Sequence, residues 1–410
     1  MPFDIWIPPL SQLPTEIWER IIDWIGTGWE PYQFLRLNKT LCACTLVCRS
    51  WLHRAWLNLY RSFEISPKSI SKFQAILRNN PSLSLTLAKT KSIVIDYSFT
   101  EAPQSALFTT SKLVNLKYLK IRGLDLTKEH SAIMRGLLSR SVTDLEFQEL
   151  HSCPVSTFLR FLNSFHSLAN LHVHLTTFSD SLSHNGQVLP FPRPIPGRCL
   201  NSLSFPLVPG ADTLIEWYIR EGSFLASLKK LELRWDNDES RNENRSCSSF
   251  ESFRPLLDHC AGILEDLTIN IHCSIDEGPT TNEIPSAGMF LCFSVLVLSP
   301  TDTDGALVVL SSLPKLRRLM WDNGYSKVIF QVTASQLGLI TSPCKLVEEV
   351  IFLVKGHAYD SRVREHCKLI DEALASDKFP SLRRVRLYED IPLDCFPILQ
   401  SRWLSELMKE

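Results

Sequence analysis

The chain has 410 residues, 44% of them hydrophobic and 21% charged, a balance that supplies a large apolar core and excludes a predominantly disordered protein. Its formal net charge of -1 lacks the basic excess of a protein that gains affinity by neutralising phosphates, so nucleic acid is excluded as the main partner. Twelve cysteines are scattered without a compact framework, as suits small apolar residues in a reducing cytoplasm or nucleus.

Met1-Pro2-Phe3-Asp4 carries no basic n-region followed by an apolar stretch, so no secretory signal is expected. The most apolar run, Met289 to Leu298, is interrupted by Ser294 and falls short of the ~20 residues of a spanning helix, which leaves no membrane partner to expect. Near the start, Ile17, Ile21, Ile22 and Ile25 recur at helical spacing. Pro14 suits the first turn, where its missing N–H would have no partner, and Glu16 and Glu19 put negative charge near the positive end of the helix dipole. Gly26 and Gly28 stop that helix. A second stripe runs through Leu41, Thr45, Cys48, Leu52 and Ala55. A helical unit this small buries too little surface to be comfortable alone. Covering Leu13, Pro14, Ile17, Ile21 and Val47 with a partner contributes roughly 1.5 to 3 kcal/mol per large aliphatic side chain before association costs.

Two fragments carry a sharper signal: Leu13-Pro14-Thr15-Glu16-Ile17, and Leu46-Val47-Cys48-Arg49-Ser50-Trp51. With Ile21 and Ile22 they resemble an F-box, the helical module by which a protein hangs from a Skp-type adaptor. The resemblance covers residues 9–62, with a connection from Gly26 to Thr40 that is longer than usual. It implies adaptor contacts from Leu13, Pro14, Glu16, Ile17, Ile21, Leu46, Val47, Cys48 and Trp51, and through the adaptor a cullin scaffold.

From Ile93 onward one phrase, L-x-x-L-x-L with tolerant substitution, recurs. Thr90-x-x-Ile93-x-Ile95 opens the series. Leu116-x-x-Leu119-x-Ile121, Val142-x-x-Leu145-x-Phe147, Leu168-x-x-Leu171-x-Val173 and Leu200-x-x-Leu203-x-Phe205 follow. Further copies centre on Leu231, Leu267, Leu296, Leu319, Val350 and Val385. Their spacing of roughly 23 to 36 residues overlaps and exceeds that of leucine-rich repeats, and no regular asparagine follows the strand. Helical stretches between the strands are expected at Ile70 to Leu77, Glu129 to Leu138, Val155 to Phe165, Ala211 to Ile219, Ser249 to Leu257 and Arg362 to Leu374. Residues 63–410 are therefore expected to form an irregular leucine-rich-repeat-like α/β solenoid with a curved parallel sheet, in which neighbouring repeats stack because none can cover its own apolar face.

Strand alternation sends the residues between the leucines to the opposite face. That face is polar and of mixed sign, and suits recognition of another protein, since complementary charge sets partner choice and register. Tyr118, Lys120, Arg122, Glu146, His172, His174, Arg234, Arg384 and Arg386 are the candidate target-binding residues. Loops are expected at the proline-rich Leu182 to Arg198, at Asp236 to Ser249 and at Gly278 to Gly288.

Catalytic patterns are missing from the sequence: it has no GxxxxGK[ST], no GxGxxG after a strand, no HExxH and no GxSxG. Cys42, Cys44, Cys48 and His53 fit no familiar zinc spacing, and His172-x-His174 supplies two imidazoles without a third ligand. Asp302-x-Asp304 reads as a turn before a helix. No metal, cofactor or enzymatic activity is expected. The resemblance and the repeats together imply a substrate-recognition subunit of a Skp/cullin/F-box ubiquitin ligase with an unknown protein substrate. A repeat scaffold that binds a partner without directing ubiquitination is the alternative.

Overall fold

The structure is a computed structural model of the full chain. It describes residues 14–27, 34–66, 75, 79, 87–96, 113–124, 141–150, 153–174, 178–179, 199–206, 211–220, 224–237, 254–273, 313–323, 343–354 and 361–388. The expected helix at 70–77 lies outside these residues except for Ala75, which is helical; the helix at 129–138, the strand around Leu296 and the loops at 182–198 and 278–288 lie wholly outside them, as does the 236–249 loop beyond Asn237.

Three helices come first: α1 (Thr15–Thr27), α2 (Phe34–Cys44) and α3 (Arg49–Leu59). The carbonyl of Pro14 accepts from the Ile17 amide at 3.0 Å, so the proline stands at the helix entrance, where no donor is lost. At 3.6 residues per turn Trp18, Ile22 and Ile25 share one face of α1. Ile22 is buried with Leu41, Cys44 and Ala55, while Ile25, Trp51 and Leu59 pack around them. Trp18 lies against Trp51 with ring centroids 4.7 Å apart. A polar clamp ties α1 to α3: the Arg54 guanidinium and the Asn58 amide both donate to the Asp23 carboxylate, Arg54 Nε at 2.7 Å and Asn58 Nδ2 at 2.9 Å. The Arg54 hydrogen bonds, helped by Asn58, hold the Asp23 carboxyl below its usual range against the opposing effect of burial.

Compactness divides the chain into two units. The first takes residues up to Leu124 with 129–144 and 164–167, and the second takes 125–128, 145–163 and everything from Leu168. In the first unit β1 (Ser62–Ile65), β2 (Ser92–Asp96) and β3 (Tyr118–Arg122) pair in parallel, with Phe63, Ile93 and Leu119 in one row and Ile65, Ile95 and Ile121 in the next. The strand β1 has no L-x-x-L-x-L phrase of its own and escapes the repeat pattern; it follows α3 directly and shows only Phe63 and Ile65 as inward signals. The strand β4 (Asp144–Gln148) starts in the first unit and continues in the second.

In the second unit β5 (Cys153–Pro154) and β7 (Phe178–Ser179) form a small parallel pair. The main parallel series is β6 (Asn170–His174), β8 (Ser202–Pro206), β9 (Lys230–Asn237), β10 (Asp266–Cys273), β11 (Arg318–Asn323), β12 (Glu349–Val354) and β13 (Arg384–Tyr388), each added beside its predecessor in chain order. Helices α4 (Val155–Leu162), α5 (Ala211–Arg220), α6 (Arg254–Cys260) and α7 (Ser361–Ala375) lie between strands in the sequence, as a crossover between parallel strands requires. Of the helix expected at 249–257 the described part starts at Arg254, with Pro255 in its first turn, where the missing N–H costs no hydrogen bond. The architecture is an α/β solenoid.

Burial follows the repeat phrase. Leu116, Leu119 and Ile121 are inaccessible, as are Val142, Leu145 and Phe147, and β2, β3, β4 and β6 alternate strictly, whereas Ser204 and Pro206 of β8 and Ile351 of β12 are buried as well. Phe147 meets Phe158 and Phe161 of α4 at 5.5 and 5.7 Å, edge to face, a geometry that aligns ring edges with ring faces. In several of the described copies a further buried position precedes the phrase by three residues. The Leu116, Leu228 and Leu316 amides donate to the Leu113, Leu225 and Leu313 carbonyls at 3.2, 3.0 and 3.1 Å. Leu113, Leu225 and Leu313 are themselves buried. The true repeat is thus one apolar turn longer than the leucine phrase.

Candidate functional site

Two surfaces carry the residues singled out in the sequence. The first belongs to the helices. Ile17, Ile21 and Trp24 share a face of α1 about 100° round from that of Trp18, Ile22 and Ile25, and are 39%, 38% and 76% exposed. The isoleucines that the sequence groups in one stripe therefore divide: Ile17 and Ile21 look outward, Ile22 and Ile25 inward. In the turn between α2 and α3, Leu46 and Val47 are 86% and 57% exposed. That turn is held by the Thr45 hydroxyl, which donates to the Cys42 carbonyl at 2.6 Å, and it ends at Cys48, the extended N-cap of α3. The hydrogen bond between Cys48 Sγ and the Ser50 hydroxyl, 3.0 Å long, and the nearby backbone amides lower the Cys48 pKa. Leu52 and Trp56 of α3 are also exposed.

Of the sequence-derived contact residues, Pro14, Glu16, Ile17, Ile21, Leu46, Val47 and Cys48 are exposed. Trp51 is half-buried against Trp18, and Leu13 lies outside the described residues. Trp24, Leu52 and Trp56 are outward-facing residues that the sequence reading missed; a helical wheel anchored on Ile17 would have found Trp24. A large aliphatic or aromatic side chain gives up roughly 1.5 to 3 kcal/mol when it stays in water. Seven such residues stand on α1, on α3 and in the turn before α3, and apolar exposure of this extent is what marks a candidate interaction site.

The second surface is the outward face of the strands. In the second unit its charges are laid out in rows of alternating sign. Register aligns Lys230, Asp266, Arg318, Glu349 and Arg384 across five strands. Contacts follow that order: Lys230 to Asp266 at 3.6 Å, Arg318 to Asp266 at 3.7 Å, Arg318 to Glu349 at 3.1 Å and Arg384 to Glu349 at 3.5 Å. Arg386 adds a bond to Glu349 at 2.7 Å. Arg384 and Arg386, expected to face a target, thus share a carboxylate within the chain.

A denser cluster joins β4, β6 and β9. His174 Nε2 lies 3.5 Å from Glu146 Oε1, the Arg234 guanidinium touches His174 Nδ1, and Arg234 Nε is 2.7 Å from Glu232 Oε1. His172 stacks on His174 with centroids 6.5 Å apart. Burial, then the Arg234 charge, pushes the His174 pKa down to about 4 despite Glu146 and Glu232, so the ring is neutral at pH 7. Burial works to raise the Glu232 pKa, but the Arg234 charge and hydrogen bond, with the Ser204 hydroxyl and His172, together hold it below the usual carboxylate range. These side chains bind one another: to the His172-x-His174 pair that the sequence shows, the structure adds Glu146 and Arg234 from neighbouring strands.

In the first unit Tyr118, Lys120 and Arg122 line a cavity of about 480 Å³ on the face of β1 to β3. Arg122 Nη1 reaches Glu64 Oε1 at 3.4 Å. Among the described residues no cluster of three or more histidine, cysteine or acidic side chains could hold a metal ion, and no helix is long and apolar enough to cross a membrane. Compared with protein-family models and with curated proteins, the sequence matches none.

Proposed function

We propose that this chain is the substrate-recognition subunit of a Skp/cullin/F-box ubiquitin ligase. Its helices α1 to α3 dock on a Skp-type adaptor, and the face of its solenoid takes a protein target. The observation that supports this best is the outward placement of Ile17, Leu46 and Val47, from the two F-box-like fragments, and of Ile21 one turn after the first. Residues conserving only a local core would be buried; these are in water and gain from being covered. A receptor of this kind contributes no reacting group. Tethering raises the effective concentration of the target beside the transfer machinery, and proximity supplies the rate.

Capture of the full-length chain by a purified Skp-type adaptor is the test, and failure of the wild-type chain to bind removes the reading. In the variant Ile17→Asp/Val47→Asp, the loss of two apolar anchors weakens capture by roughly a hundredfold or more while far-UV circular dichroism stays that of the wild type. Turnover of captured proteins with and without residues 9–62 separates a ligase receptor from a scaffold that only binds.

A further inference from the structure

The cavity on the first unit differs from the rest of the outward face in the sign of its charges. Five of the residues that line it are basic and one, Glu64, is acidic. Arg61, Lys91 and Lys117 stand immediately before the three strands and are neighbours across them, since the Lys91 amide donates to the Arg61 carbonyl and the Lys117 amide to the Lys91 carbonyl, each at 2.8 Å. Adjacent strands lie about 4.8 Å apart, so three like charges occupy about 10 Å. Like charges at facing positions destabilise a sheet. Glu64 offsets Arg122 at the other end, and Arg61 interacts with Asp23. Lys91 and Lys117 have no ion-pair partner among the described residues, and both are exposed. Beside the row, Val94 and Tyr118 are half-buried and give the cavity an apolar wall.

We propose that this cavity binds an acidic segment of a protein partner, with carboxylates on the row Arg61, Lys91 and Lys117 and an apolar side chain against Val94 and Tyr118. The proposal names the class of target and rests on the reading that the solenoid receives a protein. An extended segment rises about 3.4 Å per residue, so carboxylates on alternate residues span the row within a few residues. A single small anion could meet only part of it. The volume lies in the range of roughly 300 to 1,000 Å³ that encloses short ligand segments.

The test is fluorescence anisotropy of the full-length chain with a short labelled Glu/Leu peptide and its Gln/Leu counterpart. The wild type binds the acidic peptide and not the neutral one, and binding weakens as salt rises from about 0.05 to 0.5 M. Lys91→Glu/Lys117→Glu lowers affinity by at least roughly tenfold, and Lys91→Gln/Lys117→Gln lowers it less. Arg384→Gln, in the self-paired row, leaves it unchanged. Melting temperatures near that of the wild type establish that both double variants fold. Equal binding of the two peptides, or acidic-peptide binding that both lysine variants retain, overturns the proposal. So does saturable binding of inorganic pyrophosphate in the absence of peptide binding. Peptide binding by a chain that fails to capture the adaptor would sink the ligase reading and support the role of the cavity.

Discussion

The outward faces of the two units arrange charge in opposite ways. Before β9 to β13 the sequence reads Lys229, Glu265, Arg317, Glu348 and Arg383, and inside those strands Lys230, Asp266, Arg318, Glu349 and Arg384. Each row alternates in sign, so every charge has neighbours of the opposite kind, as with Lys229 and Glu265 at 3.3 Å. Before β1 to β3 the same position reads Arg61, Lys91, Lys117, with no alternation. A ladder that neutralises itself supports the sheet and leaves little charge for an outside molecule. A row of one sign does the reverse, since it costs stability in the free chain and regains it when an anion arrives. The contrast separates a face that holds the solenoid together from a face available to a ligand.

The largest expected effect lies in the second unit and concerns pH. His174 has a folded-state pKa of about 4 against 6.5 for the free side chain, so between those values the unfolded chain binds the extra proton and stability falls as pH drops. The loss is on the order of 3 kcal/mol by pH 4, read from urea midpoints at pH 7 and pH 4, and His174→Gln flattens the slope. Next in size is Glu349→Lys, which turns the row Arg318, Glu349, Arg384 into three cations and strands a position only 13% exposed. About 2 kcal/mol is expected to be lost in the same urea assay. The smallest effect has the opposite sign. Lys91→Glu places an acid between Arg61 and Lys117 and stabilises the free chain by about 0.5 kcal/mol, a rise in melting temperature of a degree or two. A loss of stability there would mean that the row is compensated within the chain.

Much of the solenoid was legible because its signal is periodic: Leu119, Leu145, Leu171, Leu203 and Leu231 recur with their flanking apolar residues, and all are buried. The preceding turn was harder to see, since Leu113, Phe165, Cys344 and Phe379 share burial but not residue type. Strand β1 carries too short a pattern to stand out. Charge pairing across strands was not readable at all. Arg318 and Glu349 are distant in sequence, and only register brings them to 3.1 Å. In the helices, spacing gave the existence of an apolar stripe, yet which half of it turns outward depended on where Leu41 and Ala55 pack.

The addition of strands strictly in chain order, described for the second unit, bears on how the molecule comes apart. Among the described residues β13 hydrogen-bonds to β12 alone, so its amides are released by breaking one ladder, whereas those of β9 and β10 are held from both sides. In assemblies governed by nearest-neighbour contacts, opening starts at an end and travels inward. Amide hydrogen exchange is therefore expected to be faster in β13, with its one described ladder, than in β9 and β10, which are paired on both edges.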